Sequence, residues 1–462
     1  VLHLSSREFC QHAAGVYAAN GVVAHILPPD SKRYVPTPEL SVAAIKSIPF
    51  SDAIRAGKVQ FLDEAPHRAF IELCRHESLL GPPKADELRV VYTPLHGCGG
   101  FCAGEVLDAQ GFRPIPVPEQ ATPDGQFPNV TKTPNPEVPE CMDRAARVGA
   151  ETGADLIIAT DPDADRLGGM ANRSPDGKGD FRFLTGNELA ALLTHFKLAQ
   201  LSRAGSLPAS PIVITTEVTT GQISRIGQHF GAQVIADLLV GFKYHADALW
   251  QLESAGQFGD VRGSLKDFVI ASEESHGIMA TAGVRDKDSA VAALLLAEAA
   301  LYQKRQGRTL VDYLDDLNRQ FGYFRNELLN IVLTGLEGKT DMGRMLDTLR
   351  RTPPAEIGGL PVTGFEDLQD EAGRMGPFKG DTDKAARNFL IFRLAGDGTE
   401  PKAKAYLEVS GAPWKPGTPQ AAWDRACGEI DTRVQALATD FLRKALATIG
   451  QTPAPGADKL SR

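Results

Sequence analysis

The stretch "LIIATDPDADRLGGM" (156–170) sets three carboxylates, Asp161, Asp163 and Asp165, at alternate positions directly after an apolar run. Three negative charges that close repel one another, so they need a compensating cation or must splay into water. Pro162 disfavours continuing a regular ladder, which places the acids on a loop leaving the strand "LIIAT". There, alternate spacing lets a curled backbone point all three at one hard cation. Mg2+ takes carboxylate oxygens at ~2.0–2.1 Å and keeps positions open for phosphate or water. Arg166 follows, a fixed cation suited to a phosphate oxygen.

Taken alone, the triplet has rival readings. An EF-hand needs Gly at the sixth position and Glu at the twelfth; counted from Asp161, this chain has Arg166 and Asn172, which excludes it. An aspartyl-nucleophile phosphatase also sets D-x-D after an apolar strand, though usually with Thr or Val where Asp165 stands. The third reading is a solvated acidic turn.

Other loops carry reactive side chains. "VVYTPLHGCGG" (90–100) is a strand followed by a turn whose glycines let backbone amides approach a ligand, with His96 beside them as a packed, capping or binding histidine. "SEESHGI" (272–278) combines two acids, a hydroxyl and an imidazole, a set suited to sugar hydroxyls or to a hydrated turn. "VRDKDSA" (284–290) is a lysine-bearing segment that also reads as a charged helix start. "RLAGDGTEPKAKAYLE" (393–408) has the makings of a phosphate cradle, with Arg393, Gly398, Thr399 and Lys402, and equally of a surface hairpin.

Regular elements must hold these loops. "LRVVYTPL" (88–95), "ADLIIATD" (154–161), "SPIVITTEV" (210–218) and "AQVIADLLV" (232–240) read as strands. "GNELAALLTHFKLAQL" (186–201) and "SAVAALLLAEAALYQKRQG" (289–307) read as helices, the first opened by a Thr185/Glu188 capping box and the second stopped at Gly307. Strands and helices in alternation imply α/β domains with largely parallel sheets, which bind ligands beyond the C-terminal strand ends. Linkers are expected at 79–87 and 202–211, a change to strand and loop near 320, and a disordered polar tail at 451–462.

Over 462 residues with 42% hydrophobic and 23% charged content, the net charge of −9 argues against a general nucleic-acid binder. No apolar run approaches 18 residues and no signal pattern opens the chain, so a membrane protein is not expected. Six cysteines without a C-x-x-C pair read as reduced thiols of a cytoplasmic protein.

Taken in order, "YTPLHGCGG", "PDGQFPNVTKTPNPE" (123–137), "TDPDADRLGG", "TGNELAALL", "GFKYHADAL" (241–249), "EESHG" and "GDGTEPKAKAYLE" resemble the α-D-phosphohexomutases, the phosphoglucomutase/phosphomannomutase family. The resemblance covers most of the chain. It implies three similar α/β domains with mixed sheets plus a smaller C-terminal α+β domain around a central cleft. The corresponding divisions are a truncated first domain at 1–82, then 83–205, 206–320 and 321–450. It implies an isomerase that interconverts sugar 1-phosphate and sugar 6-phosphate through a phosphoserine and a sugar 1,6-bisphosphate, the activator. Mg2+ would be held by Asp161, Asp163 and Asp165. Arg166, Lys243 and Lys287 would stand at the reacting end, with His276 or Lys287 carrying the proton. Sugar and phosphate contacts would fall to His96, Glu273, Ser275, Arg393, Gly398, Thr399 and Lys402. The phosphosugar is the expected partner; monomer or homo-oligomer is left open.

One part departs from the family. Its members carry the serine in a T-A-S-H-N-P loop, followed by Y-N-G-x-K, and this chain has neither. The text passes between roughly Ser41 and Ile45 straight from the segment before that loop to the segment after it. Ser5 and Ser6 precede a helix, where Ser5 with Glu8 makes a capping box, and Ser47 lacks the His-Asn context. The favoured expectation is a mutase whose full gene product carries the loop, because losing the middle of an α/β domain would expose its core strands. A catalytically inactive phosphosugar-binding and Mg-binding homologue, or a different phosphate acceptor, are the alternatives, and the chain as written is expected not to turn over.

Overall fold

β-branched runs with little polar interruption become strands buried on both faces, and the computed structural model of the chain shows this for Val90–Thr93, Leu156–Thr160 and Ile212–Thr216. The fourth expected strand, Gln233–Leu238, is instead a sheet edge that buries only Ile235 and Leu238. The structure describes residues 14, 17–18, 23–26, 49–331, 333, 338–395 and 404–453. Ser5, Ser6, Ser47, the junction at Ser41–Ile45, Gly398, Thr399, Lys402 and the tail from 454 lie outside the described residues.

Two compact units result, one comprising Val1–Thr219 with Ile223–Leu314, the other Thr220–Gln222 with Asp315–Arg462. In the first, β1 (Ala24–Ile26) and β2 (Val59–Phe61) pair in parallel, near α1 (Phe50–Arg55) and ahead of α2 (Ala65–His76). A five-stranded sheet follows from β3 (Val90–Thr93), β4 (Ile115–Pro116), β5 (Leu156–Thr160), β6 (Leu167–Asn172) and β7 (Phe181–Leu184), in the order β4-β3-β5-β6-β7. β4, β3 and β5 are parallel, whereas β6 and β7 run antiparallel beyond the acidic loop. The sheet is therefore mixed. α3 (Ala103–Ala109), α4 (Asp143–Thr152) and α5 (Gly186–Arg203) accompany it. α5 opens with the expected box: Thr185 Oγ1 accepts from the Glu188 amide, and the Glu188 carboxylate accepts from the Thr185 amide.

Further along the same unit come β8 (Ile212–Thr216), α6 (Gln222–His229), β9 (Gln233–Leu238), α7 (Phe242–Ala255) and the short hairpin β10 (Gln257–Phe258) with β11 (Val261–Arg262). β12 (Phe268–Glu273) and β13 (Gly277–Met279) complete a second mixed sheet, ordered β13-β12-β8-β9 with β13 antiparallel. α8 (Ser289–Lys304) is apolar all round because it is buried all round, packing on α3, α5, β5 and β13. It ends at Lys304, three residues short of Gly307, which takes the left-handed turn at φ +70° after the helix has closed.

The expected linker at 79–87 is pinned at its start. Glu298, wholly buried on α8, accepts from the Leu79 and Leu80 amides and from the Ser78 hydroxyl. α9 (Leu310–Phe321) leads to the second unit, an α+β body. There β14 (Phe324–Asn330) pairs antiparallel with β18 (Lys404–Ser410), while β15 (Glu356–Ile357), β16 (Leu360–Asp367) and β17 (Leu390–Leu394) form a second antiparallel sheet. α10 (Gly338–Arg351), α11 (Asp381–Ala386) and the long α12 (Gln420–Ala447) complete it, around a core that includes Phe392, Leu407, Leu437 and Phe441. Among the described residues no helix is long and apolar enough to cross a membrane.

Candidate active site

The acidic loop leaves the C-terminal end of β5, where the parallel strands deliver their side chains, and returns as β6. Asp161 is completely buried. Its Oδ1 accepts from the Asp165 and Arg166 amides, at 3.0 Å each, which curls the loop back on itself. Ala164 takes the left-handed conformation, φ +60°, at the apex. One carboxylate oxygen from each of Asp161, Asp163 and Asp165 then lies within 4.8 Å of the others. Octahedral ligation with bonds of ~2.0–2.1 Å asks for oxygens separated by about 2.9–4.2 Å, so the cluster stands near the spacing that a Mg2+-sized ion would draw together. Among the described residues, Asp165 Oδ1 is buried and accepts no hydrogen bond, with Arg166 Nε 3.5 Å away, a lone pair suited to a cation. Burial first, and then Asp165 and Asp163, push the Asp161 carboxyl well above the usual range.

Two protein cations flank the cluster. Arg166 Nε donates to Asp161 Oδ2 at 2.8 Å, and its Nη1 donates to Glu137 Oε1 at 2.9 Å and to Asn135 Oδ1 at 3.3 Å. Lys287 Nζ sits 3.0 Å from Asp165 Oδ2 and 3.3 Å from Asp286 Oδ1. Burial alone would lower both cations, but the neighbouring carboxylates outweigh it and hold each above its ordinary value.

The loop between β12 and β13 joins this cluster directly. Arg166 bridges Gly277 in β fashion, and the Leu167 amide donates to the His276 carbonyl at 3.0 Å. Ser289 Oγ closes the other side on the Ala164 carbonyl. Glu273 ends β12 in a nearly sealed environment, 4% exposed, and its Oε1 accepts from the Gly241 amide at 2.5 Å. Burial pushes its carboxyl up to about 7, against the pull of the Gly241 amide. Since Gly241 precedes the first turn of α7, Lys243 is brought to the same edge as Glu273, with its side chain exposed. Ser275 is half-buried in the turn itself.

His276 has its ring almost wholly enclosed. It is 3% exposed at φ +66°, its Nδ1 bonds the Leu167 carbonyl at 2.8 Å, and burial lowers its pKa. The ring serves the junction between the two loops. His96 is also buried: its Nδ1 bonds the Thr122 carbonyl at 2.7 Å, which requires Nδ1 to carry the proton, and its Nε2 is buried with no partner among the described residues. The His96–Gly97 turn lies on the acidic loop, because a Cβ at Gly97 would stand 2.5 Å from Pro162 Cα. Only glycine fits there.

Thus Asp161, Asp163, Asp165, Arg166, Lys287, Glu273, Ser275, Lys243, His276 and His96 all belong to one unit. Arg393 belongs to the other, half-exposed on β17 with Glu366 at 3.8 Å. Asn135 and Glu137 escaped the reading of site residues. Their signal was the Asn-Pro turn within the "TPNPE" of 133–137.

The chain matches two family models: "Phosphoglucomutase/phosphomannomutase, alpha/beta/alpha domain II" over residues 69–174, and domain III of the same family over residues 185–321. A phosphoglucomutase of Staphylococcus epidermidis is 30% identical over 344 residues, 72% of this chain and 60% of the relative. The chain thus spans about three fifths of the length of that enzyme. A Haemophilus influenzae protein named "Probable phosphomannomutase" is 31% identical over 402 residues, 83% of this chain and 73% of the relative. The crystal structure of a phosphoglucomutase/phosphomannomutase family protein from Burkholderia thailandensis shares the fold at 17% identity, with a TM-score of 0.53, covering 88% of this chain and 70% of that one. The metal-type loop lies within the domain II match and the Glu273–His276 turn within the domain III match, and the chain belongs to the phosphoglucomutase/phosphomannomutase family.

Proposed function

We propose that this protein is a sugar-phosphate mutase of the isomerase class, built to bind a phosphosugar and Mg2+ and to support exchange of a phosphoryl group between the 1- and 6-positions. The observation that carries this reading is the meeting of three aspartates, Arg166 and Lys287 at one loop, tied by backbone bonds to the Glu273–Gly277 turn. Asp161, Asp163 and Asp165 would hold the metal, which when bound supplies charge neutralisation for a phosphoryl group in transfer. Arg166 offers its guanidinium to the phosphoryl oxygens. Lys287 is better placed than His276 to move a proton, because its Nζ lies at the aspartate cluster while the imidazole is enclosed. Glu273 and Ser275 would take sugar hydroxyls. Arg393, Gly398, Thr399 and Lys402 would take the distal phosphate. The four-domain division with a truncated first domain, a cytoplasmic setting and a sugar 1,6-bisphosphate as activator belong to the same proposal.

An aspartyl nucleophile is disfavoured by geometry. Both oxygens of Asp161 are already engaged, by two backbone amides and by Arg166, and the side chain is buried. With no T-A-S-H-N-P loop in the 462 residues, the chain as given is expected to bind without turning over. Calorimetric titration with glucose 1-phosphate and Mg2+, beside a turnover assay containing glucose 1,6-bisphosphate, tests both parts. Saturable binding without glucose 6-phosphate is the expected result. Absence of binding refutes the mutase reading, robust turnover refutes the assignment of inactivity, and release of inorganic phosphate points to the phosphatase.

A further inference from the structure

The Arg166 guanidinium is held from three sides before any ligand arrives. Asp161 Oδ2 takes Nε–H, and Glu137 Oε1 and Asn135 Oδ1 take Nη1. The turn that supplies the last two is itself fixed. Asn135 Oδ1 also accepts the Glu137 amide at 3.0 Å, and the Asn135 carbonyl accepts the Val138 amide at 2.9 Å. Between them Pro136 has its ring tied in φ and lies against Gly168, where an added Cβ would stand 2.6 Å from Pro136 Cβ. Hence the turn is locked onto the strand that starts one residue after Arg166.

A free arginine side chain spreads over many rotamers, and fixing it on binding costs conformational entropy. Here that ordering is built into the protein, and Nη2, which makes no hydrogen bond to the described residues, is the group that would donate to a ligand oxygen. We infer that Glu137 and Asn135 are positioning residues, a clamp that pre-orients Arg166 toward the phosphoryl group of a bound phosphosugar. The ligand rests on the function proposed above; the clamp itself rests only on the contacts of Arg166. A carboxylate beside the guanidinium would weaken anion binding by charge alone, so the clamp predicts the opposite sign from simple electrostatics when Glu137 is removed.

The test is a double-mutant cycle on glucose 1-phosphate affinity, measured by calorimetry in the Mg2+-supplied full chain. E137A is expected to weaken binding about tenfold in the native background and less than about twofold in an R166A background (R166K should R166A not fold), while E137Q, which keeps an acceptor, loses about threefold or less. An equal loss in both backgrounds would show a general structural role and overturn the clamp, as would tighter binding by E137A. If the native chain binds no phosphosugar, the function reading fails separately. NMR relaxation of Arg166 Nε–H in the unliganded chain then decides the clamp: ordered in the native protein and mobile in E137A supports it, equal order in both overturns it.

Discussion

Replacing Glu273 by Gln should change how stability depends on pH. The carboxyl is 4% exposed and its pKa is raised from 4.5 to about 7, principally by burial. The folded chain therefore keeps a proton that the unfolded chain releases. This contribution to stability is fully present below about pH 4.5, declines as pH rises toward 7, and is spent above it. Two to three pKa units at 1.36 kcal/mol each give a loss on the order of 3 kcal/mol across the window, most of it falling between pH 5 and 8. Glutamine copies the protonated acid: its Oε1 can still accept from the Gly241 amide, and its amide nitrogen stands where the acidic O–H would be. E273Q should then lack this slope. Urea unfolding of both proteins at pH 5 and pH 8 gives the comparison, with the mutant gaining on the native chain by on the order of 2 kcal/mol at the higher pH. His245 stays neutral in the folded chain, where burial holds its pKa down to about 4, and the proton it takes up on unfolding is common to both proteins and cancels in their comparison. A stability difference between the two proteins that is the same at pH 5 and pH 8 would refute the reasoning.

Three further outcomes are expected. D163N should weaken Mg2+ binding by about 10-fold or more, since it removes one of three converging carboxylates; unchanged affinity by calorimetry would rule out the metal loop. E298A should cost about 2 kcal/mol in denaturant unfolding, because the Leu79 and Leu80 amides and the Ser78 hydroxyl lose their shared acceptor, and a change of a few tenths would contradict that. G186A should lower the melting temperature and disturb the 273–277 turn, as its Cβ would stand 1.9 Å from the Glu274 carbonyl oxygen, whereas G100A, with open space around it, should melt like the native chain.

What could be read locally was read from the sequence. Leu156–Thr160 is a β-branched run between a glycine-stopped helix and a proline, so strand and loop follow from backbone preferences alone. The Thr185/Glu188 box needs only four consecutive residues to form, and it formed. The alternation of three aspartates likewise made their convergence legible in the spacing, and the resemblance to known mutases supplied the other candidate site residues by motif. The two antiparallel strands after the loop were not legible, because "LGGMAN" and "FRFL" carry no pattern that separates a sheet partner from a loop.

Tertiary structure decided everything that depends on residues far apart in the chain. Leu167 and His276 meet across 109 positions, which encloses the imidazole between two loops, and Arg166 finds Glu137 across 29. Residue type and spacing determine which groups can titrate, ligate or cap, since those are properties of a few neighbouring atoms. Which of them are shut away from water, and which counter-charge each one meets, depends on the packing of whole sheets and helices, and no local stretch of sequence contains that information.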